Sequence, residues 1–263
     1  MGLPIYVVHA FTDRPFAGNP AAVCFPPAPP SDSWMQQVAA EMRLSETAFV
    51  TPAEDGYRLR WFTPTVEVDL CGHATLAAAC VLWETGRLGP GNQARFHSRS
   101  GLLTMDQGPM GMTMDFPARP AEPCREWGDL PAVLGAQARF IGRNGMDGLV
   151  ELEDEQAVRT LQPDFALLAQ YPVRGVIVTA RSDDPDYDFV SRFFAPRAGV
   201  PEDPVTGSAH CTLIPYWSAR LGKRKLYAKQ RSRRGGELWC EDNGDRVRIS
   251  GRVASYLEGT ISI

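Results

Sequence analysis

Two short loops that carry polar side chains precede two apolar helical stretches of the sequence. The first loop spans residues 71–73 and the second spans residues 203–208. The first turn of a helix offers unpaired backbone N–H groups and the positive end of the helix dipole, so each loop is suited to bind an anion. The pattern indicates a site for a substrate carboxylate or a developing oxyanion, with Gly72 and Gly207 as binding residues at the two helix starts.

Three polar side chains at these loops are candidates for chemistry. His73 lies in the first turn of the first helix, and Ser208 occupies the matching position of the second. Pro204 disfavours the α conformation at Asp203, so this carboxylate is expected to project from a turn toward whatever the helix end faces. A purely structural role as a helix cap is the alternative for these residues.

Glu46 is a fourth candidate, between a predicted helix and a predicted strand. It stands in the run Leu-Ser-Glu-Thr-Ala-Phe-Val, with apolar residues on both sides. A surface loop is the default environment for a glutamate. Burial at the start of a strand would instead suit its carboxylate for proton transfer.

The elements that position these residues occur twice. The run RWFTP at residues 60–64 returns as RFFAP at residues 192–196, an offset of 132, whereas Gly72 and Gly207 are offset by 135. The three extra residues of the second copy are assigned to residues 200–204. Two linked matches in the same order predict a duplicated domain. The predicted lobes are residues 1–117 and 118–263, with the active site in the cleft between them.

The pattern of apolar residues predicts an α+β fold. Strands dominate, and each lobe is expected to be a curved, mostly antiparallel sheet around one central buried helix. The two helices are predicted at residues 72–83 and 207–221, and Pro215 is expected to kink or restart the second. A shorter helix is predicted to begin at Ser33, which forms a capping box with Gln36.

Composition excludes several classes of function. The 263 residues carry a net charge of −4, which gives no general attraction to nucleic acid or to anionic lipid. No apolar stretch is long enough to span a bilayer, and the six cysteines form no C-x-x-C pair, so neither a membrane protein nor a zinc or other metal site is predicted. A cytoplasmic location is expected, and no nucleotide-binding glycine loop is present.

Five segments together resemble the signatures of the phenazine-biosynthesis PhzF-like family. They are residues 18–23 (GNPAAV), 44–49 (LSETAF), 60–64 (RWFTP), 70–76 (LCGHATL) and 202–209 (EDPVTGSA). They follow the order of the family and extend over the whole chain. The resemblance implies the diaminopimelate-epimerase-like fold, with two similar lobes.

The resemblance also implies an activity. The characterised isomerase of the family moves a proton within a dihydro-hydroxyanthranilate, using a glutamate that corresponds to Glu46 as general acid/base. The accompanying site positions correspond to His73, Asp203 and Ser208, while Gly72 and Gly207 supply backbone N–H groups. A cofactor-independent isomerase is therefore expected, with a small carboxylate-bearing molecule as its partner and a homodimer as a possible state.

Two alternatives remain open at this point. The first is an amino-acid racemase or epimerase that uses Cys71 as one of its bases. The related epimerases use one cysteine per lobe, and the second lobe has no thiol in the equivalent loop. The second alternative is a family member that acts as a binding or interaction protein without catalysis.

Overall fold

The computed structural model describes residues 2–262 and divides the chain into two units. The first unit comprises Met1–Asp115 together with Ser250–Ile263, and the second comprises Phe116–Ile249. The expected second lobe of residues 118–263 is therefore wrong for the end of the chain. The last strand, Val253–Ile261, pairs antiparallel with the first strand, Leu3–Ala10, and so belongs to the first unit.

The first unit is a sheet with two helices. Its elements are β1 (Leu3–Ala10), β2 (Asn19–Cys24), α1 (Asp32–Met42), β3 (Glu46–Ala53), β4 (Gly56–Phe62), β5 (Glu67–Val68), α2 (Gly72–Glu84), β6 (Ala94–Ser98), β7 (Gly101–Gly108), β8 (Gly111–Pro117) and the C-terminal β18 (Val253–Ile261). The last two residues of β8 lie across the boundary, in the second unit. Neighbouring strands pair antiparallel, except that β2 pairs parallel with β3 and β4 pairs parallel with β6.

The second unit repeats this order with shorter outer helices. Its elements are β9 (Glu122–Pro123), α3 (Leu130–Leu134), β10 (Ala138–Arg143), β11 (Asp147–Leu152), α4 (Glu155–Thr160), α5 (Phe165–Leu168), β12 (Gly175–Arg181), β13 (Phe189–Ala195), β14 (Val200–Asp203), α6 (Gly207–Leu221), β15 (Lys225–Gln230), β16 (Gly236–Asp242) and β17 (Arg246–Gly251), the last of which crosses the boundary between the units. Here β11 pairs parallel with β12 and β13 pairs parallel with β15, at the corresponding places in the order. This repetition confirms the predicted α+β fold with internal duplication.

An arginine at the start of each repeated motif makes the same contacts in both units. Arg60 donates from Nε and Nη2 to the two carboxylate oxygens of Glu67, at 2.6 and 2.7 Å, and its guanidinium lies over the ring of Phe62. Arg192 binds Glu202 in the same way, at 2.7 and 3.1 Å, and lies over Phe194. A planar guanidinium matches a carboxylate in this geometry, so the pair fixes the loop that precedes each central helix.

These matched ion pairs also locate the three extra residues of the second copy. Seven positions separate Arg60 from Glu67, whereas ten separate Arg192 from Glu202. The insertion therefore lies before Glu202, around the short 3₁₀ turn Pro196–Ala198, rather than in residues 200–204 as a whole. The sequence comparison missed this because it aligned only the two ends of the segment.

The helix α2 is buried on nearly every side. Ten of its thirteen residues are buried, and it packs against β1, β2, β3 and β18. Its many alanines let these strands approach closely on all faces, which an amphipathic helix could not allow. Gly86, at φ +68°, ends the helix with a hydrogen bond from its N–H to the carbonyl of Trp83.

The helix α6 is continuous through Pro215, so neither a break nor a restart occurs. Pro215 has no N–H to donate to the carbonyl of Cys211, four residues earlier. The backbone N–H of Arg119 donates to that carbonyl instead, at 2.9 Å. The replacement satisfies the carbonyl that proline leaves without its helical partner, and ten of the fifteen residues are buried.

The first helix begins earlier than predicted. Ser31, not Ser33, is the N-cap of α1, and its hydroxyl accepts a hydrogen bond from the N–H of Trp34. Ser33 lies inside the first turn, so the capping box with Gln36 does not form. None of the helices within residues 2–262 has the length and apolar character required to cross a membrane.

Candidate active site

The helix α2 begins without a side-chain cap. Cys71 holds the N-cap position in an extended conformation, and its side chain accepts no hydrogen bond from the first turn. Gly72 and His73 are the first two helical residues, at the positive end of the helix dipole. The start of this buried helix therefore presents backbone N–H groups that no capping side chain occupies.

Glu46 and His73 meet at this helix start. Glu46 is the first residue of β3, and its Oε2 lies 3.1 Å from Nε2 of His73. The His73 side chain is 7% exposed and that of Glu46 is 19% exposed. Among the described residues, neither of these two buried atoms has a hydrogen-bond partner apart from the other. Because Oε2 faces the imidazole, Oε1 is the carboxylate oxygen that His73 does not contact.

The other ring nitrogen of His73 has two neighbours. Sγ of Cys71 lies 3.5 Å from Nδ1, and Nδ2 of Asn19 lies 3.3 Å from it. Asn19 is fully buried, and its Oδ1 accepts a hydrogen bond from Ser45, the residue before Glu46. The imidazole is thus in contact with Cys71 at Nδ1 and with Glu46 at Nε2, and these contacts fix its orientation.

The position of Asn19 depends on the conformation of Gly18, the residue before it. Gly18 adopts φ +65°, a conformation that other residues rarely take, and a Cβ there would come within 2.2 Å of the carbonyl oxygen of Ala10. A glycine is therefore required for the turn that leads into β2, whose first residue is Asn19.

The cluster sets the protonation of His73 and Cys71. Burial lowers the pKa of His73, but Cys71 and Glu46 outweigh it, and the pKa lies well above its ordinary value. Burial first, and the charge of Glu46 second, raise the pKa of the Cys71 thiol to about 11. Cys71 is therefore a neutral thiol at pH 7.

These three side chains also form a set of metal-ligating types. One ligand atom each from Glu46, Cys71 and His73 lies within 4.8 Å of the others. The sequence predicted no such group, because Glu46 is far from the other two along the chain. His73 contacts both other members of the set, Glu46 through Nε2 and Cys71 through Nδ1.

Asp203 ends β14 and is tied to the start of α6. Its Oδ2 accepts a hydrogen bond from the hydroxyl of Thr206 at 2.5 Å. Gln230 is fully buried; its Oε1 accepts the backbone N–H of Thr206 at 2.9 Å, and its Nε2 donates to the carbonyl of Asp203 at 2.9 Å. Thr206 is the N-cap residue, yet its side chain caps no N–H of the first turn. Asp203 is thus held beside the first turn of α6, where Gly207 is the first residue.

Ser208 is the second residue of α6 and contacts a charged pair. Its Oγ accepts a hydrogen bond from Nη2 of Arg174 at 2.9 Å. The same guanidinium binds the carboxylate of Asp147 at 2.9 and 2.6 Å. Burial lowers the pKa of Arg174, but Asp147 and then Asp203 and Cys211 outweigh it and raise the pKa, so the guanidinium stays charged.

The structure brings together Glu46, His73 and Gly72 in the first unit, and Asp203, Gly207 and Ser208 in the second. The sequence missed the partners that orient them. Asn19 stands in the quoted segment at residues 18–23, so a signal for it was present, although no role was assigned. Asp147, Arg174 and Gln230 carry no local signal, because each acts through a contact distant in sequence.

Comparison with known proteins gives one family for the whole chain. The family described as phenazine biosynthesis-like protein, PhzC-PhzF, matches residues 8–259. An uncharacterized isomerase of Halalkalibacterium halodurans is 48% identical over 262 residues, which cover 99% of this chain and 99% of that protein.

Solved structures agree with this family. The structure of a PhzF-family phenazine biosynthesis protein of Enterococcus faecalis superposes with a TM-score of 0.96 at 41% identity, and 100% of each chain is covered. A hydroxyproline epimerase of Agrobacterium vitis superposes with a TM-score of 0.59 at 12% identity, over 99% of this chain and 92% of that one. The second likeness shows a shared fold alone.

Proposed function

The chain belongs to the phenazine biosynthesis-like PhzC-PhzF family, and from this premise we propose that it is an isomerase that transfers a proton within a small carboxylate-bearing substrate. Glu46 is the general acid/base of this proposal, and no cofactor takes part. The observation that carries it is the contact of 3.1 Å between Glu46 and His73 at the start of α2.

The first step is removal of a proton from carbon. Oε1 of Glu46 takes the proton, and the electron pair of the broken C–H bond moves into the conjugated system of the substrate. The protonated carboxyl then returns the proton to a different carbon, so Glu46 ends the cycle as a carboxylate. His73, which stays protonated, holds Oε2 and leaves Oε1 to do the transfer.

Removal of the proton leaves negative charge on the substrate. A C–H bond is a weak acid, so the anion that forms must be stabilised by groups placed in advance. His73 supplies a positive charge next to Glu46, and Gly72 supplies backbone N–H at the start of α2. The proposal assigns Gly207, Ser208 and Asp203 to binding and orienting substrate through its carboxylate and neighbouring polar groups.

A racemase or epimerase with Cys71 as a base receives less support. A pKa of about 11 leaves the Cys71 thiol neutral at pH 7, and a base must be deprotonated to act. At the equivalent N-cap of α6 stands Thr206. The nearest thiol on that helix, Cys211, is buried, and burial raises its pKa to about 12.

Proton NMR in D₂O tests the proposal. The wild type is incubated with a dihydro-hydroxyanthranilate, a panel of amino acids and other small carboxylates. We expect exchange or isomerisation of a cyclic unsaturated carboxylate that Glu46→Gln abolishes. Glu151→Gln is the matched control, because Glu151 is a similarly buried carboxylate, 13% exposed, in the second unit.

Other outcomes would contradict the proposal in distinct ways. Exchange that persists in Glu46→Gln would move the base to another residue. Exchange of an amino acid with inversion would select the racemase or epimerase. Binding of a compound without exchange of any would select the non-catalytic binding protein.

A further inference from the structure

Arg174 lies directly before β12, outside every motif of the sequence, and reaches the start of α6. We propose that Arg174, held by Asp147, is a positioning residue that directs the hydroxyl proton of Ser208 toward a substrate anion. This inference rests on the proposed function, in which Ser208 binds substrate. In addition to that function, it explains how Arg174 makes Ser208 a hydrogen-bond donor to the substrate.

Asp147 is an anchored carboxylate. It is 2% exposed and is the first residue of β11. The side-chain oxygen of Asn144 accepts the backbone N–H groups of Met146 and Asp147, at 2.9 and 2.8 Å, and the Asn144 amide donates to Thr212 of α6 at 2.5 Å. The turn before Asp147 is therefore fixed to the same helix that carries Ser208.

Arg174 is fixed in turn by this carboxylate. Nε and Nη2 donate to the two oxygens of Asp147, at 2.9 and 2.6 Å, and the backbone N–H of Arg174 donates to the carbonyl of Met146. The guanidinium lies over the ring of Phe193, 5.3 Å from its centroid. A planar guanidinium held at two nitrogens and across one face has little freedom to rotate.

The direction of the Arg174–Ser208 hydrogen bond follows from the chemistry of the two groups. A guanidinium has donors and no acceptor, so Nη2 donates and Oγ of Ser208 accepts, at 2.9 Å. The hydroxyl proton of Ser208 must then point elsewhere. No acceptor for it occurs among residues 2–262, and Ser208 is partly exposed. Its O–H is thus available to an anion and is polarised by the cation behind it.

Two other roles for Arg174 make different predictions. As a purely structural ion pair, it would stabilise the fold without affecting Ser208. As a direct ligand, it would bind the substrate through Nη1, which has no hydrogen-bond partner in the described chain, and through the neighbouring cavity of about 420 Å³ that Arg174 and Arg197 line.

A double-mutant cycle separates these roles. Arg174→Met and Ser208→Ala are each expected to lower kcat/KM roughly 30-fold, the usual effect of losing one hydrogen bond to a charged group. The double variant should fall no more than about threefold below either one, because both remove the same donor. Multiplied losses would show that Arg174 acts apart from Ser208 and would overturn the proposal.

Further variants guard against a simple loss of folding. Arg174→Met leaves Asp147 buried without its partner, so a second variant, Asp147→Asn with Arg174→Met, removes both charges together. Its kcat/KM should match that of Arg174→Met. Arg220→Met is the control, because Arg220 also pairs with a carboxylate, Glu151, but near the C-terminal end of α6.

Crystal structures give a readout that does not require activity. In Arg174→Met the Ser208 side chain should leave the rotamer that it holds in the wild type, whereas Arg220→Met should leave it unchanged. An unchanged Ser208 in Arg174→Met would overturn the positioning role, whatever the kinetics. If the wild type catalyses no exchange with any compound, the proposed function fails, while this structural comparison still decides the role of Arg174.

Discussion

His73 is the second residue of α2 in the first unit, and Ser208 is the second residue of α6 in the second unit. The strands around these helices follow the same order, with parallel pairs at the same two places. The groups next to the two residues differ. His73 contacts groups that can exchange protons, Glu46 and Cys71, whereas Ser208 contacts Arg174, which is always charged.

The difference shows which parts of a duplicated fold are free to diverge. The ion pairs of Arg60 with Glu67 and of Arg192 with Glu202 match in both units, because they hold the loop that leads to the helix. The first turn of the helix is not needed for that support. One unit can therefore carry a proton-transfer group while the other carries a charged group that orients a donor.

The largest expected effect is on kcat at Glu46, and it distinguishes proton transfer in the first unit from substrate binding in the second. Glu46→Gln should lower kcat by about 10³, within the usual contribution of a general acid/base, because the amide cannot accept the proton. Asp203→Asn should act mainly on KM, since Asp203 is assigned to binding. Steady-state kinetics of both variants measure this split.

Equal losses of kcat in the two variants would contradict this division of roles, because both units would then take part in the proton transfer. Glu151→Gln is the control for the general effect of removing a half-buried carboxylate.

The second prediction concerns His73, whose contribution to the stability of the folded protein depends on pH. Its pKa lies well above its ordinary value of about 6.5, so the charged imidazole stabilises the folded state. This contribution is fully present below pH about 6.5 and is lost as the pH rises through the raised pKa. The wild type should therefore exceed His73→Gln in stability most at low pH, and the difference should shrink as the pH increases.

Denaturant unfolding at a series of pH values measures that difference. The activity of His73→Gln should be reduced roughly 100-fold, because one group that stabilises the developing anion is lost. A stability difference that grows with pH would show that His73 is neutral in the folded protein.

Cys71 gives the smallest effect. Burial and Glu46 raise the pKa of the thiol to about 11, so it is neutral at pH 7 and unsuited to act as a base. Cys71→Ala should change kcat by less than about threefold, a loss of packing rather than of chemistry. Cys80→Ala, at another buried thiol of α2, is the control in the same assay. A loss as large as that of Glu46→Gln would make Cys71 a base and favour the epimerase.

Much of the fold could be predicted from local patterns. The repeated RWFTP motif and the two apolar helices indicated the duplication, because both signals lie within short stretches of chain. The return of Ser250–Ile263 to the first unit could not be predicted in this way. The pairing of β18 with β1 joins the two ends of the chain, and nothing in either strand alone specifies its partner.

The same distinction between local patterns and long-range contacts applies to the site residues. His73 and Ser208 were found because they stand next to helix starts, whereas Glu46 was found as a carboxylate between apolar segments and was given its role by the family resemblance. The sequence could not show that Glu46 contacts His73, since that contact depends on how β3 lies beside α2. Asp147 and Arg174 were missed for the same reason: an ion pair across 27 positions leaves no periodic pattern.

The central claim is that one group, Glu46, both removes and returns the proton. A substrate found in the D₂O panel is deuterated at the carbon that loses its proton and is converted in H₂O over a limited number of turnovers. We predict that part of the label appears at the new position in the product, because the same carboxyl carries it. Complete loss of the label, with inversion at the original carbon, would require a second base and would contradict the account.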